Sequence, residues 1–363
     1  MKLTSQISEK SLLPPSMAFF AAHCMQLGVG FLTFQRELVE HVGQDAWIVV
    51  CFSSLTFFLV IWMMYRVLNK AQHDIMFINQ AYFGKWAGNL LNLLLLGYLL
   101  LVGGNICRTF IQIVQVWLFP DLHTWILCVI LLLAACYAVF GGLRTVIGVC
   151  FFSMLQYMLL PIYFFIASYF HFSYFLPVMD HSVSEMVKAM SQMTFSFLGV
   201  EVILICYPWF KNPKKSERWV YWANGVVTLF YLSEIITSLA FFSKNQLINI
   251  QWPSLAQFQF VQLPYIERFE GFGVASQLMR ALPILCLCLW SAGRISKVVT
   301  SIRPSRTVPF FAALLAIFVC LLPESVAIKY AHHWIYIAGT GIVYVYLPIL
   351  FVLSLFSKKV KPA

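Results

Sequence analysis

Four ionisable side chains, Arg108, Glu201, Glu234 and Arg280, stand inside otherwise apolar stretches of this chain. A charge at mid-membrane costs at least about 2.5–3.5 kcal/mol on insertion scales, so each needs a partner or a cavity. Glu201 follows Gly199 by two residues, in Phe197-Leu198-Gly199-Val200-Glu201. A carboxylate there would bind an amine or a cation, or respond to a proton. Alternatively it would form a structural pair with Arg108 or Arg280. Glu234 and Arg280 read as structural, because nothing in the sequence beside them suggests a broken helix. Met25-Gln26-Leu27-Gly28-Val29-Gly30 puts two glycines into one turn, and each weakens a helix by about 1 kcal/mol relative to alanine. A helix that breaks inside a bilayer exposes N–H and C=O groups, tolerated only where protein or a wet cavity satisfies them. Gly28 and Gly30 therefore mark either a discontinuous helix forming half of a small-molecule site, or a notch where a neighbouring helix approaches.

Other reactive groups are less suggestive. Tyr98, Val102, Asn105 and Arg108/Thr109 fall at helical spacing on one stripe, which suits either the wall of a polar pocket or a mixed packing face. No H-E-x-x-H, G-x-S-x-G or phosphate-loop pattern occurs, so an enzyme is not expected. His332-His333 lacks a carboxylate or cysteine at ligand spacing and reads as an interfacial pair. The ten cysteines contain no C-x-x-C and read as small buried hydrophobes rather than disulfides or metal ligands. Neither a metal nor a cofactor is expected.

The elements that position these residues follow from composition. The chain is 61% hydrophobic and 10% charged, with mean hydropathy +0.82, whereas soluble domains carry roughly 25% charged residues. It reads as an all-α integral membrane protein, one membrane-embedded domain over 1–363. About ten spans can be marked: 12–34, 45–66, 88–117, 124–140, 145–170, 184–209, 217–243, 271–292, 308–323 and 332–356. The net charge of +10 lies in short blocks between spans, as topology signals do, so a nucleic-acid partner is set aside. With the N-terminus inside, 17 of the 24 Lys and Arg residues fall in inner segments and 5 in outer ones. This bias predicts that both termini are cytoplasmic.

Leu27-Gly28-Val29 in span 1 recurs as Leu198-Gly199-Val200 in span 6. The copies are five spans apart and cross in opposite directions, the pattern of an inverted repeat whose paired interrupted helices mark a binding site. The pseudo-repeats would cover about 12–170 and 184–356.

The chain resembles the B subunit of the spore nutrient germinant receptors, membrane-embedded members of the amino acid–polyamine–organocation superfamily. The resemblance runs over essentially the whole length. It rests on Leu27-Gly28-x-Gly30-x-Leu32-Thr33-x-x-Arg36, Phe83-Gly84-Lys85-Trp86, Phe197-Leu198-Gly199-x-Glu201-Val202, Trp252-Pro253-Ser254 and Ile266-Glu267-Arg268-Phe269-Glu270. It implies a LeuT-like fold of five plus five helices, with helices 1 and 6 broken around a nutrient, often an amino acid. It also implies an A subunit and a lipoprotein C subunit as partners in the spore inner membrane. On that reading the ligand carboxylate sits on free N–H groups after Gly28–Gly30, favoured by the helix dipole. Leu27 and Val29 flank it. The amine meets carbonyls near Phe197, Leu198 and Gly199, or Glu201. Tyr98 and Val102 close the side-chain pocket, and the outer loop 244–270 acts as a lid anchored by Ile266–Glu270. An amino-acid permease completing alternating access needs the same site and is the alternative. The family usually has proline after the Leu-Thr-Leu of span 1, where this chain has Phe34-Gln35, which leaves the end of the outer half-helix open.

Overall fold

Long apolar runs leave a chain in lipid only one way to satisfy its backbone, by forming helices. The computed structural model of the protein describes residues 9–28, 30–261, 268–321 and 324–356. Val29, Ile266 and Glu267 lie outside the described residues. The helices are α1 (Met17–Gln26), α2 (Phe34–Val42), α3 (Ala46–Ala71), α4 (Ile75–Trp117), α5 (Thr124–Phe140), α6 (Leu143–Phe151) and α7 (Val183–Phe197). They continue as α8 (Ile203–Cys206), α9 (Pro213–Phe241), α10 (Lys244–Asn249), α11 (Pro253–Phe258), α12 (Glu270–Thr300), α13 (Pro304–Leu321), α14 (Glu324–Gly341) and α15 (Leu347–Phe356). A π-helical turn, Ile342–Tyr346, joins the last two.

Among the described residues seven helices are long and apolar enough to cross a membrane, and the pair Val183–Phe197 and Val200–Trp209, bent by 46°, adds an eighth. A tally of ten also requires the 10-residue α1 and the 17-residue α5 as crossings. Two expected spans are less regular than their hydropathy suggests. Span 3 belongs to a 43-residue helix with non-helical backbone at Gly84 (φ 81°), just before the apolar stretch begins. Span 5 starts as α6 and continues as 3₁₀-helix over Phe152–Phe164 with Pro161 inside, where the missing N–H removes an α-helical bond.

The outer surface is apolar, as a lipid-facing surface must be. Trp86, Tyr137, Phe164 and Leu133 project outward while Asn79, Asn92, Gln26 and Gln35 are buried. Helix α1 runs through the middle, its Ala18, Ala21 and Ala22 fully enclosed, with α9, α6 and α12 packed around it. All ten cysteines are free thiols; seven are buried, whereas Cys51 and Cys136 are half-buried and Cys320 is exposed on α13. Cys320 thus departs from the expected buried hydrophobe, because it faces outward from a helix near the edge of the bundle.

Candidate functional site at the paired helix breaks

Both glycine motifs interrupt their helices. Helix α1 stops at Gln26, and Leu27 closes it by donating its N–H to His23 O. The chain turns over 27–33 before α2 begins. Across that turn Phe31 N bonds Gly28 O, and Thr33 N and Phe34 N bond Gly30 O. Gly28 N and Gly30 N have no backbone partner among the described residues. In the other helix, α7 ends at Phe197, Leu198 is extended (ψ 153°), and Gly199 takes φ 121°. A 3₁₀ turn, Val200–Val202, then leads into α8.

The two breaks touch. A Cβ on Gly199 would collide with the carbonyl of Met25, and the φ itself lies where L side chains are strained. A Cβ on Gly30 would lie 2.8 Å from Ser196 Cα. Break and close approach therefore coexist, and the notch belongs to Gly30. At Gly28 an added Cβ would meet its own chain, Met25 O at 2.9 Å, and only graze Ile284 of α12 at 4.0 Å.

Glu201 is 1% exposed and pairs with neither Arg108 nor Arg280. Its Oε2 accepts the Gly199 N–H at 2.7 Å, and its Oε1 accepts the Tyr98 hydroxyl. The carboxylate thus caps the reversed turn of its own helix and ties it to α4. Val102, one turn from Tyr98, is buried on α4. Asn105 and Thr109 are buried too, and the Asn105 amide and the Thr109 hydroxyl find no partner among the described residues.

The half-helices also end in carbonyls that need donors, and α9 supplies them. Tyr231 Oη reaches Gln26 O at 2.9 Å and Ser196 O at 2.8 Å, one terminus from each broken helix. Gln26 Nε2 bonds Asn224 Oδ1 at 3.0 Å and lies 3.5 Å from Phe197 O. Leu198 packs so closely on α14 that a side chain at Gly339 would overlap it.

A second polar group adjoins the first break. Gln35 Nε2 donates to Ser254 Oγ at 2.7 Å, Ser254 donates to Glu234 Oε2 at 2.5 Å, and Tyr163 donates to Glu234 Oε1 at 2.7 Å. Gln35 therefore pins α11 to α2 through Ser254. Arg280 of α12 lies over Phe31, its guanidinium carbon 3.7 Å from the ring centroid. Phe31 belongs to the interrupted turn, so packing brings Arg280 to a broken helix that the sequence beside it does not suggest. Within the expected lid, Arg268 Nε bonds Glu270 Oε1 at 2.8 Å and its Nη2 bonds Trp117 O at 3.1 Å.

The structure brings Leu27, Gly28, Gly30, Tyr98, Phe197, Leu198, Gly199 and Glu201 around one junction, while Val29 is outside the described residues. Sequence reasoning missed Gln26, Asn224, Tyr231 and Gln35. Their signal was present as polar residues in or beside apolar spans, but only the three-dimensional packing shows that Tyr231 and Gln26 meet the carbonyls at the breaks, that Asn224 holds Gln26 and that Gln35 ties α2 to α11.

A multi-pass helical membrane protein with two interrupted helices joined at its centre is the class these features define. The chain belongs to the spore germination protein family, whose model matches residues 12–328. It is 35% identical to spore germination protein GerQB of Bacillus cereus over 350 residues, 96% of this chain and 97% of that one. It is 25% identical to spore germination protein A2 of Bacillus subtilis (strain 168), over 68% and 69% of the two chains. Among solved structures, a manganese transporter mutant of Eremococcus coleocola superposes with a TM-score of 0.45 at 12% identity, over 94% of this chain and 77% of that one.

Proposed function

We propose that this chain is the nutrient-sensing subunit of a spore germinant receptor, a binding protein rather than an enzyme, with an amino acid as its nutrient. The observation that carries the proposal is the contact of the two breaks, in which the Gly199 backbone lies against the Met25 carbonyl. Two interrupted helices in one core place unpaired N–H groups and carbonyl ends side by side, a pairing suited to a carboxylate and an amine. On this reading the ligand lies among Leu27–Gly30, Tyr98, Val102 and Phe197–Glu201, and the halves 12–170 and 184–356 are inverted repeats. The subunit sits in the spore inner membrane with both termini cytoplasmic, beside an A subunit and a lipoprotein C subunit. Binding signals only to the extent that the ligand prefers one of two conformations.

Thermal unfolding of the purified chain with each of the twenty common amino acids tests the binding. One of them should raise the midpoint, since a ligand at one hundred times its Kd adds about 2.7 kcal/mol of stability. If none does, amino-acid sensing is wrong. Uptake of the labelled amino acid by proteoliposomes holding this chain alone would replace the receptor reading with the permease. Gly28→Leu and Gly199→Leu should abolish the germination response of spores while the protein remains in the membrane.

A further inference from the structure

A buried guanidinium carries five N–H donors and a permanent charge, and both need partners. Arg280, in the middle of α12, is 3% exposed. Among the described residues it forms no hydrogen bond and no ion pair, and its Nη1 is buried without an acceptor. Glu234 is near enough to share its field, yet gives its two oxygens to Tyr163 and Ser254. What Arg280 does touch is the face of Phe31 at 3.7 Å, and Phe31 is in turn stacked on Phe230 at 5.3 Å. A ring face attracts the charge, but it does not satisfy a planar fork of N–H groups.

Position along α12 fixes what Arg280 faces. Ile284, one turn further along, is the α12 residue against Gly28. Arg280 therefore lies one turn from the break, at Phe31. Gln277, a further turn in the same direction, lines a cavity of about 20 Å³ together with Phe31, Gln156, Glu234 and Ser254. That volume holds roughly one water molecule. The Gln156 Nε2 that borders it is buried and has no partner among the described residues. Phe31 thus stands between this small polar cavity and the guanidinium. On the break side wait Gly28 N and Gly30 N, also without backbone partners among the described residues.

We propose that Arg280 receives the carboxylate of the bound amino acid, displacing Phe31 from its guanidinium, with Gly28 N and Gly30 N completing the anion site. This rests on the proposed amino-acid sensing and adds a charged anchor from α12 to the paired breaks. Two parallel N–H groups of an arginine match the two oxygens of a carboxylate, a bidentate geometry that an ammonium does not offer. The site then selects ligands with a free carboxylate and rejects their amides. Phe31 acts as the movable cover, because its ring is held only by apolar and cation–π contacts.

The test compares, on the purified full-length protein, whichever amino acid raises the unfolding midpoint with the same compound as its carboxamide. The amide should need about 10- to 100-fold more ligand for the same shift, as expected for losing charge-assisted hydrogen bonds. Arg280→Gln should weaken the amino acid by a similar factor while leaving the amide unchanged. Arg280→Lys should fall between, since it keeps the charge without the fork. If Arg280→Gln does not fold, the wild-type comparison of acid with amide still decides. Equal midpoints for acid and amide, or a wild-type midpoint for the amino acid in Arg280→Gln, overturn the anchor and leave amino-acid sensing intact. If no amino acid stabilises the wild-type protein, the sensing reading falls and the anchor with it.

Discussion

At the scale of single residues, the junction of the two breaks is held by groups that substitute for lost helical hydrogen bonds. Tyr231 reaches the terminal carbonyls of both half-helices, Gln26 O and Ser196 O. Tyr231→Phe keeps the ring and leaves these buried acceptors short of a donor, which costs about 1–3 kcal/mol. The unfolding midpoint in detergent should fall accordingly with membrane insertion unchanged. Glu201 already holds Tyr98 and the Gly199 N–H with its two oxygens. Glu201→Gln is therefore expected to lower stability by a similar amount and to shift the nutrient concentration for half-response only through that loss, as a group that shapes the ligand's surroundings without bonding it. A shifted response with unaltered unfolding would instead place the ligand amine on this carboxylate.

Among the elements, α11 is the piece whose attachment is most specific. Apolar packing from Leu255 and Phe258 seats it, but direction comes from the chain Gln35–Ser254–Glu234 joining α2, α11 and α9. Ser254→Ala breaks both links and strands a buried amide and a buried carboxylate oxygen, again about 1–3 kcal/mol. Since about 1.4 kcal/mol is a factor of ten in an opening equilibrium, amide hydrogen exchange across 244–261 should accelerate about 5- to 150-fold, with little change in α5 or α13. Exchange that rises equally in all helices would mean that Ser254 supports the whole bundle rather than the loop. The same contact explains why glutamine serves at position 35. Proline there would end the hydrogen-bond chain, whatever it did for the half-helix.

For the whole molecule, the charge distribution sets an orientation that packing leaves open. The segments that the proposed orientation places inside carry 17 of the 24 basic residues, so fluorescent reporters fused before Met1 or after Ala363 should fold and emit. A reporter inserted at Asn249, in the loop this orientation places outside, should not, because most fluorescent proteins fail to mature when exported through the membrane unfolded. Emission from the loop insertion and darkness from the termini would reverse the topology. The exposed aromatic and aliphatic surface, from Trp86 to Phe164, is compatible with either orientation.

The amino-acid sequence by itself determined the membrane class and the places where helices break. Both follow from local chemistry: apolar length against bilayer thickness, and glycine where a helix needs side chains. Leu27-Gly28 and Leu198-Gly199 could be read as a pair because the same residues recur five spans apart. Only the tertiary structure decided which glycine does what, with Gly199 reversing the backbone and Gly30 making room for Ser196. It also decided the partners of the buried charges. Glu201 and Arg280 look alike in sequence, isolated charges in apolar spans. One is satisfied by Tyr98 and its own backbone, and the other is left facing Phe31. Hydrogen bonds such as Tyr98–Glu201, 103 positions apart, and Gln35–Ser254, 219 apart, leave no trace in local composition, because their geometry exists only once the helices have packed.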